Sequence, residues 1–175
     1  MTSRSRGFQE TQMIREDLLN TPIECGMKSL IVLDAVSPQK CDLKRLVTFD
    51  YLLVHSGDIS GGPASLHADS PFRSGEILVR REFIQRGLDL VVAKGLVVRH
   101  FSRDGVIYEA ASFSGEFLGY LDSTYAQRAI EIASWIGKTF GHMTDEKLDQ
   151  FVNANIGRWG AEFADDPYRI HGAGA

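Results

Sequence analysis

The chain has 175 residues, a hydrophobic fraction of 43% and a formal net charge of −4. This composition supports a folded domain rather than a disordered chain, and no apolar run approaches the roughly 18 residues of a membrane span. The acidic balance argues against nucleic-acid binding over the whole surface. Because the first residues lack an apolar signal core and the two cysteines, Cys25 and Cys41, form no motif, we expect a cytoplasmic chain with reduced thiols.

The first predicted elements are two helices that follow a polar arm, residues 1–20. Thr21 is placed to cap the first helix and Pro22 fits its first turn. An apolar stripe at helical spacing is expected to face the core, comprising Ile23, Met27, Leu30 and Ile31. Asp42 is predicted to cap a second apolar helix that ends near residue 55.

A polar loop follows the second helix over residues 56–74. Gly61, Gly62 and Pro63 are incompatible with regular structure there, and few large apolar groups are present to attach the loop to a core. A loop of this length inside a compact domain is uncommon and is often functional. We therefore expect it to fold against its own domain through polar contacts or to become ordered against a partner.

A third helix is predicted to begin near residue 74 and to end at Gly95, followed by a β-hairpin. Asp104 and Gly105 between two apolar runs are a strong hairpin signal, because a primed turn requires positive φ. A helix, a loop, a second helix and a hairpin are the parts of a winged helix-turn-helix. The predicted fold class is therefore α+β, mostly α, consisting of a winged helix-turn-helix with a two-stranded wing and a C-terminal helical extension.

The remaining chain is predicted to be helical. We expect a short helix from Ser112 or Ser114, a longer one over residues 125–140 and a third after Thr144. The predicted division is an N-terminal arm (1–20), a winged-helix domain (21–111), C-terminal helices packed on it (112–164) and a tail (165–175).

The charges are distributed unevenly along the chain. Residues 73–103 carry seven Lys/Arg against three Asp/Glu, whereas residues 104–175 carry five against eleven. On a winged helix the third helix and the wing are the elements that approach DNA. The candidate DNA contacts are Arg80, Arg81, Arg86, Lys94, Arg99 and Arg103. Glutamates four residues before Arg80 and Arg86 are spaced for ion pairs that would partly neutralise them.

Catalytic and metal-binding interpretations have little support. His55, Ser56 and Asp58 are the residue types of a hydrolase triad, but neighbours on one loop rarely face one another and no Gly-x-Ser-x-Gly elbow is present. His55, Asp58, His67 and Asp69 could bind a metal, although their spacing matches no known motif. We predict no enzyme activity, no cofactor and no metal.

Four stretches of the sequence resemble one family. They are DYLLVHSGDISGGPASLH, SGEILVRREFIQRGLDLVVAKGL, GVIYEA and GRWGAEF. The family is the second class of middle components of bacterial ABC three-component systems, which includes the small middle subunit of Lamassu-type defence operons. The resemblance covers about residues 20–163 and implies a winged-helix accessory subunit without catalytic residues.

The resemblance also implies partners, namely an SMC-like ABC ATPase subunit and an effector that is often a nuclease. Such a complex acts against phages or plasmids, reaches DNA as an assembly and needs no membrane. The candidate partner-binding residues, which lie in these stretches or, for Arg73, directly before the second one, are Tyr51, His55, Asp58, Leu66, His67, Arg73 and Trp159. The alternative is a winged-helix transcriptional regulator that binds DNA directly, and a third hypothesis is a metal-dependent hydrolase.

Overall fold

A computed structural model of the chain describes residues 21–67 and 76–159, with side-chain environments for all of these except 76–79 and 156–159. The predicted arm and tail, together with Arg73 and Asp69, lie outside these ranges. Six α-helices and one small antiparallel sheet occur within them, so the α-rich α+β class is confirmed. The elements are α1 (Pro22–Val36), β1 (Cys41–Asp42), α2 (Leu43–Val54), α3 (Glu76–Ala93), β2 (Val97–Ser102), β3 (Gly105–Ala110), α4 (Ser114–Gly119), α5 (Thr124–Phe140) and α6 (Asp145–Trp159).

Helix α1 is the central element of the fold, because α3 and α5 both pack against it. At the α1–α3 crossing, a Cβ atom on Gly26 would lie 2.5 Å from the carbonyl oxygen of Gly87, so only glycine allows this approach. On the α5 side, a Cβ atom on Gly137 would lie 2.4 Å from the carbonyl oxygen of Ala35. The helix is consequently buried on most of its circumference from Cys25 onward.

One prediction for α1 is wrong. Ile23, assigned to the apolar stripe, is 65% exposed. The physical reason is that the buried surface of α1 is not a single stripe. It extends over several sides of the helix from the second turn onward, and Ile23 in the first turn lies on the remaining side.

The predicted helix ends are confirmed by capping contacts. Thr21 Oγ1 accepts the amide of Glu24 at 3.3 Å, and an Asp42 carboxylate oxygen accepts the amide of Arg45 at 2.7 Å. Gly95 follows α3 with a φ of +72°, which is a left-handed conformation that favours glycine. These local signals therefore set the positions of α1, α2 and the start of the hairpin.

The sheet has three strands in the order β1-β3-β2, one strand more than the predicted hairpin. The hairpin itself is as predicted, with Ser102 opposite Gly105 across the turn. The added strand β1 pairs Cys41 with Tyr108. Because β1 contains only two residues and runs directly into the cap of α2, no alternating pattern in the sequence could have indicated it.

Arg45 connects α2 to the C-terminal helices. The guanidinium of Arg45 donates from Nη2 to the carbonyl oxygens of Phe140, Gly141 and Met143 at 3.2, 3.2 and 2.7 Å. Its Nη1 lies 2.7 Å from a carboxylate oxygen of Asp145. The side chain thereby satisfies the carbonyl groups at the end of α5 and fixes the turn into α6.

Candidate interaction site and the buried charge cluster behind it

A lysine lies at the centre of the structure. Lys28 on α1 is 1% exposed, and its Nζ atom lies 3.2 Å from Asp50 Oδ1 and 3.5 Å from Glu24 Oε1. Removing an ammonium group from water without partners is strongly unfavourable, so these two carboxylates are required by its burial. We define the charge cluster as Glu24, Lys28, Asp50, His67, Arg80 and Tyr125.

The cluster joins four helices and the polar loop. Arg80 on α3 is 8% exposed and its Nε atom lies 3.5 Å from Asp50 Oδ2. Tyr125 on α5 donates its hydroxyl proton to Glu24 Oε1 at 2.5 Å. His67 Nε2 lies 2.9 Å from the same hydroxyl. Because the tyrosine proton is directed to Glu24, the tyrosine oxygen accepts from His67, which assigns the imidazole proton to Nε2.

The two charges at the core of the cluster stabilise each other. Burial alone would raise the pKa of Asp50, but Lys28 and Arg80 outweigh it and hold this pKa below its usual range. Burial alone would lower the pKa of Lys28, but Asp50 and Glu24 outweigh it and raise this pKa. Both groups are therefore ionised at neutral pH. The stability that Asp50 contributes is present above the ordinary aspartate pKa and is lost as pH falls through the depressed value.

Three further groups, Tyr125 within the cluster and the two cysteines, remain protonated. Burial, followed by the hydrogen bond to Glu24, raises the pKa of Tyr125 above its usual range. Burial, followed by the nearby Asp50 carboxylate, raises the pKa of the Cys25 thiol to about 12. Burial raises the pKa of Cys41 to about 12 as well. Both cysteines are free, as the sequence predicted; both are also buried, and neither thiol has the low pKa of a reactive cysteine.

The part of the polar loop that the structure describes, residues 56–67, folds back on itself. We call it the glycine-rich loop. A short 3₁₀ turn, Ser56–Asp58, opens it, and the Gly57 amide donates to Ser65 Oγ at 3.0 Å. Arg128 on α5 donates from Nη2 to the carbonyl oxygens of Ala64 and Ser65 at 3.3 and 3.2 Å. A Cβ atom on Gly62 would lie 2.2 Å from the Ser56 carbonyl oxygen, so the fold of this loop requires glycine there.

The charge cluster holds both flanks of residues 68–75. His67, which precedes them, contacts Tyr125 and lies 3.6 Å from Glu24 Oε1. Arg80, one turn into the helix that follows them, pairs with Asp50. Since Lys28 lies between Glu24 and Asp50, the two flanks converge on one buried cation. The positions of His67 and Arg80 thus depend on the buried core that they contact.

The predicted partner-binding residues that the structure describes with their side chains fall into a buried group and a half-buried group. Tyr51 and His55 are buried, with their ring centroids 4.6 Å apart, and lie on the core side of the glycine-rich loop. Asp58, Leu66 and His67 are half-buried within it. Arg73 lies outside the described residues, and Trp159 ends α6 at a position whose side chain is not described. Their roles in partner binding stay predictions.

The predicted DNA-binding residues are also dispersed. Arg80 belongs to the charge cluster, Arg86 pairs with Glu82 at 2.6 Å, and Arg99 pairs with Asp89. Lys94 and Arg103 are exposed. Arg81 and Arg99 line an open groove of about 470 Å³ between α3 and the hairpin, next to Phe101, which is 78% exposed.

The metal hypothesis is not supported by the residues that the structure describes. Among them, no three His, Cys, Asp or Glu side chains converge in a way that could hold a metal ion. His55 Nδ1 and Asp58 Oδ2 are 3.9 Å apart, whereas His67 is directed to Tyr125 and Glu24. The fourth candidate, Asp69, lies outside the described ranges.

Sequence reasoning missed the most buried members of the cluster. Lys28 and Asp50 are isolated charges inside otherwise apolar helical segments, residues 27–33 and 46–54. Lysine and aspartate are almost never fully buried unless they are paired, so this combination was a usable signal. Tyr125 is 101 positions from Glu24, and no sequence period indicates such a contact.

The sequence model of the ABC-three component (ABC-3C) system Middle Component 2 family matches residues 18–162. The chain belongs to this family. Comparison with curated proteins and with solved structures gave no match. Within residues 21–67 and 76–159, no helix combines the length and apolar character that a membrane span requires.

The charge cluster predicts an unequal effect of two similar substitutions. Asp50→Asn removes the carboxylate shared by Lys28 and Arg80, so it should lower the free energy of unfolding at neutral pH by about 3–5 kcal/mol. Asp149→Asn removes an exposed pair with Lys44, whose atoms are 2.6 Å apart, and should lose less than about 1 kcal/mol. Urea unfolding of both variants measures the difference. Equal losses of unfolding free energy would mean that the buried cluster stabilises the fold no more than an exposed ion pair does.

Proposed function

We propose that this Middle Component 2 protein is a non-catalytic bridging subunit. It joins an SMC-like ABC ATPase subunit to a nuclease or other effector and helps control effector activation on foreign DNA, as in Lamassu-type anti-phage and anti-plasmid complexes. Family membership supports the presence of partner subunits. The observation that carries the proposal is the glycine-rich loop, an ordered surface that is attached to the charge cluster through His67 and to α5 through Arg128.

The proposed body of the subunit is a winged helix. The order α1, β1, α2, α3, β2, β3 supports this assignment, with α3 as the third helix and the β2–β3 hairpin as the wing. The unusual feature is the connection between α2 and α3, which is far longer than the short turn of a helix-turn-helix. We assign residues 21–111 to the winged-helix domain and residues 112–164 to the extension that packs on it.

A loop that is already ordered is well suited to protein binding. Ordering a flexible segment on association reduces affinity, so internal hydrogen bonds that fix the segment beforehand favour binding. Gly57, Ser60, Gly61 and Ala64 are exposed, whereas the loop's ends are tied to the core. Small exposed residues leave the backbone accessible to a partner surface. We therefore assign the main partner contact to residues 56–67.

A bulky substitution on this surface tests the proposal. The chain is co-expressed with the ABC ATPase and effector subunits of its operon, and the complex is measured by size exclusion and biolayer interferometry. Ser60→Arg should weaken binding to the ATPase subunit by at least about tenfold by steric exclusion at the contact. Ser112→Arg, an equivalent change at an exposed serine outside the loop, should not.

Two outcomes would count against the bridging role. If the chain elutes alone at moderate salt in the presence of both subunits, the bridging function is wrong. If the complex forms equally well with Ser60→Arg and Ser112→Arg, the loop is not part of the interface. Thermal unfolding of both variants, expected to match the unchanged chain, ensures that binding and not folding is measured.

The second candidate function is direct DNA binding by the winged helix. The groove between α3 and the hairpin favours it, because Arg81 and Arg99 line this groove and Arg103 lies at the hairpin turn. Ion pairing of Arg86 and Arg99 reduces the charge available to phosphates. The residues proposed for contact are therefore the exposed cations Lys94 and Arg103.

Salt dependence distinguishes this candidate. If the chain binds DNA directly, fluorescence anisotropy with duplex DNA should show an affinity that falls steeply with salt. The Arg103→Ala substitution should reduce the slope of log affinity against log salt by about one. Glu116→Ala, at an exposed residue on α4, is the control. An affinity that is independent of salt or unchanged in Arg103→Ala rules out phosphate contact through the hairpin.

A further inference from the structure

A second groove lies between the glycine-rich loop and α5. Its volume is about 510 Å³, and it is open to solvent. One wall is the loop backbone at residues 61–64, and the other is the face of α5 that carries Arg128, Glu131, Ile132 and Trp135. The groove is separate from the charge cluster and from the groove beside the hairpin.

The floor of this groove is apolar. Ile132 is buried, Trp135 is half-buried with its ring edge-to-face against Phe140 at 5.5 Å, and Pro63 faces them from the loop. The Trp135 ring is held in place by this contact. A fixed indole provides a surface for the aliphatic stem or the charged head of a cationic side chain.

The charged groups at the groove are not equivalent. Arg128 is committed to the loop, because its Nη2 donates to the carbonyl oxygens of Ala64 and Ser65. Glu131 is exposed and, among the residues that the structure describes, takes part in no ion pair. Glu131 and Trp135 are four positions apart on α5 and so lie on the same face of the helix. The groove thus offers one uncommitted carboxylate beside an indole ring.

We propose that this groove binds an arginine or lysine side chain of a partner subunit. The stem of that side chain lies along Ile132 and Trp135, and its head donates to the Glu131 carboxylate. In the described part of the chain, Glu131 is the only acidic residue in the lining of the groove, and its exposed carboxylate beside the Trp135 ring favours a basic side chain. The identification of the occupant as a partner subunit rests on the proposed function, but the chemistry of the groove does not.

The test uses a defined basic probe on the whole chain. Trp159→Phe leaves Trp135 as the only tryptophan, since the chain contains two. Its emission is followed during titration with hexaarginine at low ionic strength. Glu131→Lys and Glu116→Lys change the net charge equally. We expect Glu131→Lys to weaken binding about tenfold and Glu116→Lys to change it by less than about twofold.

Two results would overturn the inference. The two lysine variants could titrate alike, which would mean that hexaarginine responds only to net charge. Alternatively, hexaglutamate could bind more tightly than hexaarginine, which would make Arg128 the dominant group. Failure of the bridging role is distinguishable from failure of the groove. If hexaarginine binds through Glu131 but the operon subunits form no complex with the chain, the groove is a binding site for basic side chains and the proposed bridging function is wrong.

Discussion

The structure depends on the burial of one positive charge. Lys28 is on the helix that α3 and α5 enclose, so its ammonium group cannot reach solvent and must be neutralised by neighbouring elements. Asp50 provides one carboxylate from α2 and Glu24 provides another from α1. The arrangement of the helices around α1 is therefore constrained by charge as well as by packing. An apolar residue in place of Lys28 would leave the buried Asp50 carboxylate with Arg80 as its remaining cationic partner in the cluster.

The same constraint extends to the surface. Arg80 and His67 flank the residues between the two described parts of the chain, and both contact members of the charge cluster. Arg128 adds a connection from α5 to the glycine-rich loop. A polar loop with few apolar anchors is thus held by ionic and hydrogen-bonding contacts. This explains how a segment rich in glycine can present a defined surface, and it gives the proposed partner contact a physical basis.

Much of the fold could be predicted because its signals are local. Thr21, Asp42 and Gly95 act at neighbouring backbone groups, and the turn at Asp104 and Gly105 is determined by its own φ requirement. Family membership was also indicated by contiguous stretches of sequence. The strand β1 was missed because two residues carry no periodic pattern.

The charge cluster was missed for a different reason. Periodicity identifies positions that are buried, but it does not tell which charges meet in the core. Asp50 and Arg80 are thirty positions apart, and Glu24 and Tyr125 are far more distant. Arg80 was instead assigned to a solvent-exposed, DNA-facing set, and its low exposure follows from the need of Asp50 for a second cation. Long-range electrostatic pairing is the part of the site that required the structure.

We propose that the glycine-rich loop, attached to the charge cluster through His67, is a contact surface for partner subunits. Hydrogen exchange of the chain alone and in complex with the ABC ATPase subunit of its operon tests this role. Amides within residues 56–67 should exchange at least about tenfold more slowly in the complex. Unchanged exchange in these residues, in a complex that forms and protects other parts of the chain, would contradict it.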